Sequence, residues 1–298
     1  KKLATSMLDV PVEYDFEDLK VEPPNEEMIT ELFAELEFRN LAKRVLGKEI
    51  QIQAAPVQVG GQMDLFGNVQ EEVVEETEEI EKKTLESTDH KYHFVNSPEE
   101  RKALIEKLEA SSSFCFDTET TGLNPFQAEI VGASFAIKAH EAYYVPFPEN
   151  FEEAKTVLAE FKAVFDNENI EKVGQNIKYD MNVLSKYDIQ VKGKLFDTMI
   201  AHYLIQPDMR HNMDLLAEAY LGYKPVSIET LIGKKGKSQK SMRDIPQEDI
   251  VDYACEDADI TLQLKNEFAP KMNETLKKLM DEIETPLIPV LAAMEQEG

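Results

Sequence analysis

The sequence predicts an α/β protein in which a mixed β-sheet is flanked by helices and preceded by a helical segment and an acidic linker. Three strand-like segments follow one another between residues 113 and 145. Further short strands then alternate with helical patterns, and helices dominate from about residue 179. Consecutive strands followed by alternating helices and strands are typical of a mixed sheet with helices on its faces.

We expect the chain to contain a helical segment, a flexible acidic linker, a sheet-containing domain and the start of another helical region, at residues 1–48, 49–90, 91–270 and 271–298. Asn25 is expected to cap the first helix. The linker contains a glutamate-rich run at 71–79, where helical periodicity fails. Because the chain begins at Lys1 and ends within an apolar helical pattern, we expect it to be a piece of a longer protein.

The charge of the chain restricts how it can bind nucleic acid. The net charge is −26, and residues 1–90 carry 22 acidic against 9 basic side chains. Proteins that hold duplex nucleic acid through its phosphates usually present a basic surface. Tight, non-specific duplex binding is therefore not expected. A nuclease that takes one strand end with bound cations remains compatible with this charge.

Cysteine usage and hydropathy indicate the cellular compartment. The chain has two cysteines, Cys115 and Cys255, which cannot form a disulfide framework, so a reducing cytoplasm is expected. No signal-peptide pattern is present, and no apolar run reaches the roughly 20 residues of a membrane span. The sequence predicts a soluble cytoplasmic protein.

The elements of the main domain follow from local signals. Ser97 and Pro98 mark a helix start, and the helix is expected to run to about Ala110. Another helix is expected around 152–165. Short buried strands bounded by turn residues are expected at 113–116, 129–137, 141–145, 172–174 and 194–196.

Two acidic residues end the strand that begins at Ser113. Asp117 and Glu119 are two positions apart, so both side chains point to the same face of a strand. Paired carboxylates repel each other, and a divalent cation is their natural partner. Oxygen ligands favour Mg²⁺ or Mn²⁺ over zinc. The alternative is a pair of solvated acids at a strand end.

Two further acids are expected on helices. Asp180 falls in the first helical turn after Gly174-Gln175-Asn176, where an acid also complements the helix dipole without any catalytic role. Asp257 follows Tyr253 by four positions, which places the tyrosine hydroxyl beside the carboxylate. The surrounding apolar stripe predicts that Asp257 faces the core, where acids are rare unless paired or metal-bound. The alternative is an exposed edge position.

These three motifs resemble, in order and spacing, the DEDD-type 3′–5′ exonucleases of the RNase H-like fold, in the subgroup with tyrosine in the last motif. The flanking segments are similar to bacterial DNA polymerase I. Leu36-Glu37-Phe38-Arg39 resembles the end of its 5′-nuclease domain, and Glu284-Thr285-Pro286-Leu287 resembles the helix that enters its polymerase domain. The resemblance implies a 3′–5′ exonuclease domain between a 5′-nuclease remnant and a truncated polymerase start. The polymerase motifs are absent, so no DNA synthesis is expected.

The resemblance also implies a mechanism, in which two divalent cations, Mg²⁺ or Mn²⁺, hydrolyse the 3′-terminal phosphodiester and release nucleoside monophosphates. Asp117 would bridge both cations, and Glu119 and Asp257 would complete the site of the attacking water. Asp180 would support the second cation, and Tyr253 would orient the water as a hydrogen-bonding group. The expected partner is the single-stranded 3′ end of DNA. The protein would be a proofreading monomer in the bacterial cytoplasm, associated with the nucleoid.

Residues for holding the DNA strand are also implied by the resemblance: Leu123, Gln175, Asn176, Tyr179 and Arg210. Leu123 would lie against the terminal base, although ordinary loop packing explains it equally well. Arg210 is expected to contact a phosphate. A basic cluster is formed by Lys234, Lys235, Lys237 and Lys240. This cluster is either a solvated loop or a guide for the strand.

An apolar peptide interrupts the acidic linker and consists of Gln62, Met63, Asp64, Leu65 and Phe66. It resembles the short peptides by which bacterial replication proteins bind the sliding clamp. An exposed Leu-Phe pair in a mobile segment is costly without a partner. Matches of five residues also arise by chance.

Two other functions remain open from the sequence. An exoribonuclease similar to RNase D would share the same metal motifs, and rates on DNA and RNA would separate the two enzymes. A catalytically idle scaffold of a polymerase is the other possibility. The presence of all four acids and of Tyr253 argues against a scaffold.

Overall fold

The computed structural model describes residues 25–35, 45, 82–234, 236 and 239–298. The chain divides into two compact units, residues 1–75 and 76–298. In the first unit, helix α1 (Glu26–Glu35) begins directly after Asn25, whose Oδ1 accepts from the Met28 N–H at 3.1 Å, as expected of a cap. The clamp-like peptide at 62–66 lies outside the described residues, as do Lys235 and Lys237.

The second unit is built on a six-stranded sheet with strand order β1-β4-β3-β2-β5-β6. The strands are β1 (Lys91–Phe94), β2 (Ser113–Thr120), β3 (Ile130–Lys138), β4 (Glu141–Pro146), β5 (Glu171–Gly174) and β6 (Leu195–Asp197). Strands β2, β3 and β4 pair antiparallel, whereas β1 joins β4, β5 joins β2 and β6 joins β5 in parallel. The predicted mixed sheet is confirmed. Strand β1 was not predicted, because its four residues alternate only between exposed and half-buried.

Helices cover both faces of this sheet. They are α2 (Pro98–Glu109), α3 (Phe151–Glu160), α4 (Lys162–Asp166), α5 (Ile177–Ser185), α6 (Thr198–Ile205), α7 (Met213–Leu216), α8 (Glu229–Ile232), α9 (Gln247–Phe268), α10 (Glu274–Leu279) and α11 (Thr285–Glu297). Short 3₁₀ turns lie at Leu85–Ser87, Met242–Asp244 and Ala269–Lys271, and π-helical turns at Ala217–Leu221 and Met280–Glu284. The predicted helix at 152–165 is interrupted at Phe161, which is buried between α3 and α4. No described helix has the length and apolar character needed to cross a membrane.

Alternation along β2 separates two core layers. Phe114 and Phe116 pack with α2 to α5 on one face, whereas Cys115 packs with α9 on the other. Both cysteines of the chain are buried and unpaired. Asp117 and Glu119 continue the Cys115 side of the strand, so the fold directs them toward α9.

Two buried carboxylates fix α9 against its surroundings. Glu256 accepts from the Tyr223 hydroxyl at 2.5 Å and from the Val226 N–H at 2.7 Å. Asp259 accepts from the Tyr92 hydroxyl at 3.0 Å and from the His140 N–H at 2.8 Å. Since Asp257 lies between these two acids on the same helix, their hydrogen bonds also help to set its position.

Part of the segment that the sequence assigned to the linker pairs with the main domain. Residues 82–90, which the sequence placed in the linker, form a β-bridge from Lys83 to Tyr223. The Lys83 N–H donates to the Gly222 carbonyl at 3.0 Å, and the Lys224 N–H donates to the Lys83 carbonyl at 2.8 Å. A single residue pair leaves no periodic pattern, so no local signal predicted this bridge.

Gly132 of β3 is expected to be intolerant of any side chain. A Cβ at this position would lie 2.2 Å from the Tyr144 hydroxyl oxygen. Tyr144 is fully buried and donates to Gln247 Oε1 at 2.8 Å, so its ring has little freedom to move. Gly132→Ala should lower the free energy of unfolding by about 1–3 kcal/mol.

Urea unfolding of Gly132→Ala beside Gly122→Ala tests this expectation. A Cβ at Gly122 would meet nothing within 4 Å, so this variant is the matched control. Equal unfolding midpoints for the two variants would contradict the proposed clash.

Candidate active site

Three carboxylates from two elements meet at one end of the sheet. Asp117 and Glu119 come from β2 and Asp257 from α9, and their ligand oxygens all lie within 4.8 Å of one another. Glu119 is 6% exposed and Asp257 is 8% exposed, which excludes both a solvated strand end for Glu119 and an exposed edge for Asp257. The structure thus brings three of the four predicted acids together.

A β-bulge lies at this end of β2. Glu119 pairs with Gly132, but Thr120 pairs with Ile130, so the register shifts between Glu119 and Thr120. Bulges increase the local twist and are frequent beside active sites. The carboxylate-bearing end of β2 therefore bends where the chain leaves the sheet.

The electrostatics of this cluster are unfavourable without a cation. Burial raises the pKa of Asp117 to about 7. Burial, and then the neighbouring carboxylates, raise the pKa values of Glu119 and Asp257 well above their usual range. Glu119 Oε1 is buried without a hydrogen-bond partner. Within the described part of the chain, no lysine or arginine pairs with these acids.

A divalent cation fits this set of donors. All the converging groups are carboxylate oxygens, which hard cations such as Mg²⁺ and Mn²⁺ prefer. A bound cation would offset the mutual repulsion and would supply a partner for the orphaned Glu119 oxygen. The chemistry of the donors therefore agrees with a metal site at this position.

Asp180 lies beside the cluster but belongs to the helix layer on the other face. Its Oδ1 accepts from the Thr118 N–H at 3.1 Å and from the Thr118 hydroxyl at 2.5 Å. Burial, and then the charge of Asp117, raise the pKa of Asp180 well above its usual range. Thr118 was not identified from the sequence, although its place between Asp117 and Glu119 turns its side chain toward α5.

Tyr253 lies one turn before Asp257 on α9. Burial raises its pKa, with further contributions from the charges of Asp257 and Glu119 and from a hydrogen bond with Asp257. The hydroxyl is therefore held protonated near the carboxylates. Such a group can donate a hydrogen bond but cannot act as a base at neutral pH.

The residues predicted to hold the DNA strand occupy different environments. Leu123 lies in the loop after β2, and its side chain is 95% exposed. Packing within the loop therefore does not account for a leucine at this position. The Tyr179 hydroxyl bonds to Thr120 Oγ1 and to the Gly122 carbonyl, each at 2.6 Å, and thereby braces that loop. Arg210 is exposed, and among the basic cluster Lys234 and Lys240 are exposed as well.

Gln175 and Asn176 lie in the turn before α5. The Gln175 side chain is occupied internally, because its Nε2 donates to the His211 carbonyl at 2.7 Å and its Oε1 accepts from the Thr198 hydroxyl. Asn176 is exposed and adopts the left-handed conformation with φ 58°. Only Asn176 of this pair therefore presents its side chain outward.

Asp197, for which the sequence predicted no role, caps two helices at once. Its carboxylate accepts from the Met199 and Ile200 N–H groups at 2.9 and 3.3 Å, at the start of α6. It also accepts from the Ile177 and Asn176 N–H groups at 2.8 and 3.3 Å, at the start of α5. Its position between β6 and a helix is the local cap signal that could have identified it.

A buried histidine lies behind the Gln175 turn. His202 Nδ1 is 2.7 Å from His211 Nδ1, and His202 Nε2 is 3.0 Å from the Tyr220 hydroxyl. Two ring nitrogens that share one hydrogen bond cannot both carry protons. Burial, and then His211, lower the pKa of His202 to about 4.

The stability that His202 contributes should therefore fall on mild acidification. An unfolded histidine has a pKa of about 6.5, so below that pH the unfolded chain takes up a proton that folded His202 excludes. The stability contributed by neutral His202 is complete above about pH 6.5 and is lost as the pH falls toward 4. Between pH 7 and pH 5 the expected loss is about 1–2 kcal/mol.

Chemical denaturation of wild type and His202→Gln at both pH values measures this contribution. The variant should show a smaller loss on acidification, whereas the exposed His93→Gln control should follow wild type. An identical pH dependence in wild type and His202→Gln would rule out a protonation cost at His202.

Comparison with known sequences identifies the family to which the chain belongs. A family model described as 3′–5′ exonuclease, from family A DNA polymerases, matches residues 92–273. The chain therefore belongs to this 3′–5′ exonuclease family. Its sequence is 33% identical over 308 residues to DNA polymerase I of Pseudomonas aeruginosa, covering 100% of this chain and 31% of the relative. With DNA polymerase I of Borreliella burgdorferi the identity is 35% over 219 residues, covering 72% and 24%.

The chain thus spans about a third or less of the length of these curated relatives. Solved structures with the same fold include NrnC from Brucella melitensis, with a TM-score of 0.55 and 17% identity over 70% of this chain and 93% of NrnC. Escherichia coli RNase D, an exoribonuclease, has a TM-score of 0.53 and 16% identity over 67% of this chain and 50% of RNase D. At these identities the structures establish the RNase H-like fold alone.

Proposed function

We propose that this domain removes nucleotides from the 3′ end of a DNA strand by hydrolysis that depends on two divalent cations. The proposal depends on one observation above the others. Three carboxylates converge within 4.8 Å, and no described basic side chain pairs with them. NrnC from Brucella melitensis, which shares this fold, has also been solved with bound Mg²⁺, and this supports the proposal of a cation here.

The residues present suggest separate tasks. Asp117, Glu119 and Asp257 would hold the cations, and Asp180, oriented by Thr118, would support the second. When bound, the cations would lower the pKa of an attacking water and stabilise the departing 3′ oxygen. Tyr253 would orient that water by hydrogen bonding, since its raised pKa keeps the hydroxyl protonated. Leu123 and Asn176, whose side chains are exposed, would contact the terminal nucleotides.

DNA is the proposed substrate because the matched family and the curated relatives are DNA polymerases. The alternative, an RNA substrate, is suggested only by the shared fold of RNase D. Rates of nucleotide release from DNA and RNA oligonucleotides of one sequence distinguish them. Faster release from DNA supports the proposal, and faster release from RNA would replace it with an RNase D-like activity.

We further propose that the activity is proofreading within a longer polymerase. Residues 1–48 would then be the end of a 5′-nuclease domain, and 271–298 the beginning of a polymerase domain. The 298-residue chain alone should show no nucleotide incorporation. A primer-extension assay with all four deoxynucleoside triphosphates tests this expectation.

The peptide at 62–66 is proposed as a contact for the sliding clamp. The test is binding of the chain to purified clamp, with Leu65→Ala/Phe66→Ala as the variant. Binding that is lost in the variant supports the contact. A wild-type chain that never binds the clamp would remove the proposal.

A further inference from the structure

Helix α5 contacts β2 and the loop after it through some of its side chains, and contacts α11 through others. Toward the site, Asp180 accepts from Thr118, and Tyr179 bonds to Thr120 and Gly122. Residues two positions apart on a helix point in nearly opposite directions. Asn182 therefore points away from Asp180, and its side chain contacts α11.

Asn182 is 1% exposed, and both polar ends of its amide are bound by α11. Its Nδ2 donates to Glu295 Oε2 at 2.9 Å, and its Oδ1 accepts from Gln296 Nε2 at 3.0 Å. Leaving a buried amide without partners costs about 1–3 kcal/mol, so these contacts fix the register between the two helices. Displacement of α11 would leave Asn182 unsatisfied.

Two further contacts extend this interface along the same face of α5. Lys178 forms an ion pair with Glu295, and Gln296 Nε2 lies 3.2 Å from Ser185 Oγ. Lys178, Asn182 and Ser185 are spaced by four and three residues, which places them in one row on the helix. Two adjacent residues of α11 thus contact the outer face of α5 at its beginning, middle and end.

We propose that Glu295 and Gln296 are positioning residues for the exonuclease site. By holding α5 from its outer face, they set the distance of Asp180 and Tyr179 from β2. The inference rests on the proposed function, because it assigns these residues to the same reaction. It also makes the geometry of the nuclease site depend on the position of α11, a helix that contributes no carboxylate to the cluster.

The test compares the Glu295→Ala/Gln296→Ala variant with wild type in the 298-residue chain. The first readout is hydrogen exchange of the Thr118 amide, whose N–H donates to Asp180 Oδ1 at 3.1 Å. Exchange at Thr118 and along α5 should become about 10-fold faster or more. In the variant, α5 can open locally without breaking its contacts with α11, so opening costs less free energy. Amides of α2, which is held by hydrogen bonds to Glu160 and Tyr143 and not by Glu295 or Gln296, should be unaffected.

The second readout is exonuclease kinetics on single-stranded DNA with Mn²⁺. A small displacement of positioned groups can cost one to two orders of magnitude in rate, so kcat should fall about 10-fold while KM changes little. Glu295→Gln keeps an oxygen acceptor for Asn182 and should stay within about twofold of wild type, because an exposed ion pair contributes little. Glu297→Ala, an exposed neighbour on α11, is the matched control.

The outcomes separate this inference from the proposed function. Unchanged Thr118 exchange in the double variant would overturn the inference, whatever the activity. Loss of activity only in proportion to the unfolded fraction, or a rise in KM alone, would also overturn it. A wild-type chain without nuclease activity would refute the proposed function, and Thr118 exchange would still decide whether α11 positions Asp180.

Discussion

Asp117→Asn is expected to slow 3′ nucleotide release by about 10³-fold or more and, at the same time, to stabilise the metal-free protein. The loss of rate, equivalent to about 4 kcal/mol of activation free energy, follows from removing one of the three carboxylates that converge within 4.8 Å of one another. The gain in stability follows from relieving repulsion in a buried group of acids. A substitution that lowers activity but raises stability is typical of a residue that is retained for function.

The stability gain should depend on pH with a definite sign. Burial raises the pKa of Asp117 to about 7, above the unfolded value of about 3.9. The folded protein therefore binds a proton more readily than the unfolded chain, and that contribution to stability is lost as the pH rises toward 7. In EDTA, the advantage of Asp117→Asn should therefore grow by about 2–3 kcal/mol between pH 5 and pH 8.

Thermal unfolding in EDTA and single-turnover nuclease assays in Mn²⁺ measure the two effects. Asp252→Asn, which removes an exposed acid from α9, is the matched control and should change neither quantity. An Asp117→Asn protein that is active, or that is less stable than wild type in EDTA at pH 8, would contradict the assignment.

Asp197→Ala is expected to cause the largest loss of stability among single substitutions near the site. The carboxylate accepts from four backbone N–H groups at the beginnings of two helices, so its removal uncaps both. Loss of one N-cap usually costs about 0.5–2 kcal/mol, and the burial of these groups adds to that cost. The free energy of unfolding should fall by about 3 kcal/mol, which lowers the melting temperature by roughly 6–12 °C.

The effect should reach the site as well, because one of the two helices carries Asp180. Activity measured well below the melting temperature should therefore fall even where Asp197→Ala is fully folded. Asp208→Ala, which removes an exposed acid from the loop after α6, is the control. A melting temperature within a degree or two of wild type would show that the double cap contributes little.

The sequence predicted those features whose pattern is local. The alternation in β2 and the four-residue spacing of Tyr253 and Asp257 each depend on one element, so both could be derived before the structure was known. The helix cap at Ser97 is of the same kind, and its hydroxyl accepts from Glu100 as the pattern indicates. The mixed sheet follows from the order of such elements.

The features that escaped prediction join residues far apart in the chain. Thr118 meets Asp180 across 62 positions, and Glu295 meets Asn182 across 113. Neither contact leaves a periodic pattern, because nothing local requires a threonine or a glutamate at those places. The bridge from Lys83 to Tyr223 was missed for the same reason.

The most direct test of the account is release of the 3′-terminal nucleotide from a labelled single DNA strand, followed as Mn²⁺ is added back to metal-free protein. We expect no release in EDTA, release of mononucleotides from the 3′ end that saturates with Mn²⁺, and no comparable release by Asp117→Asn. Equal rates in EDTA and Mn²⁺, equal rates in wild type and Asp117→Asn, or shortening from the 5′ end would contradict a nuclease built on these carboxylates.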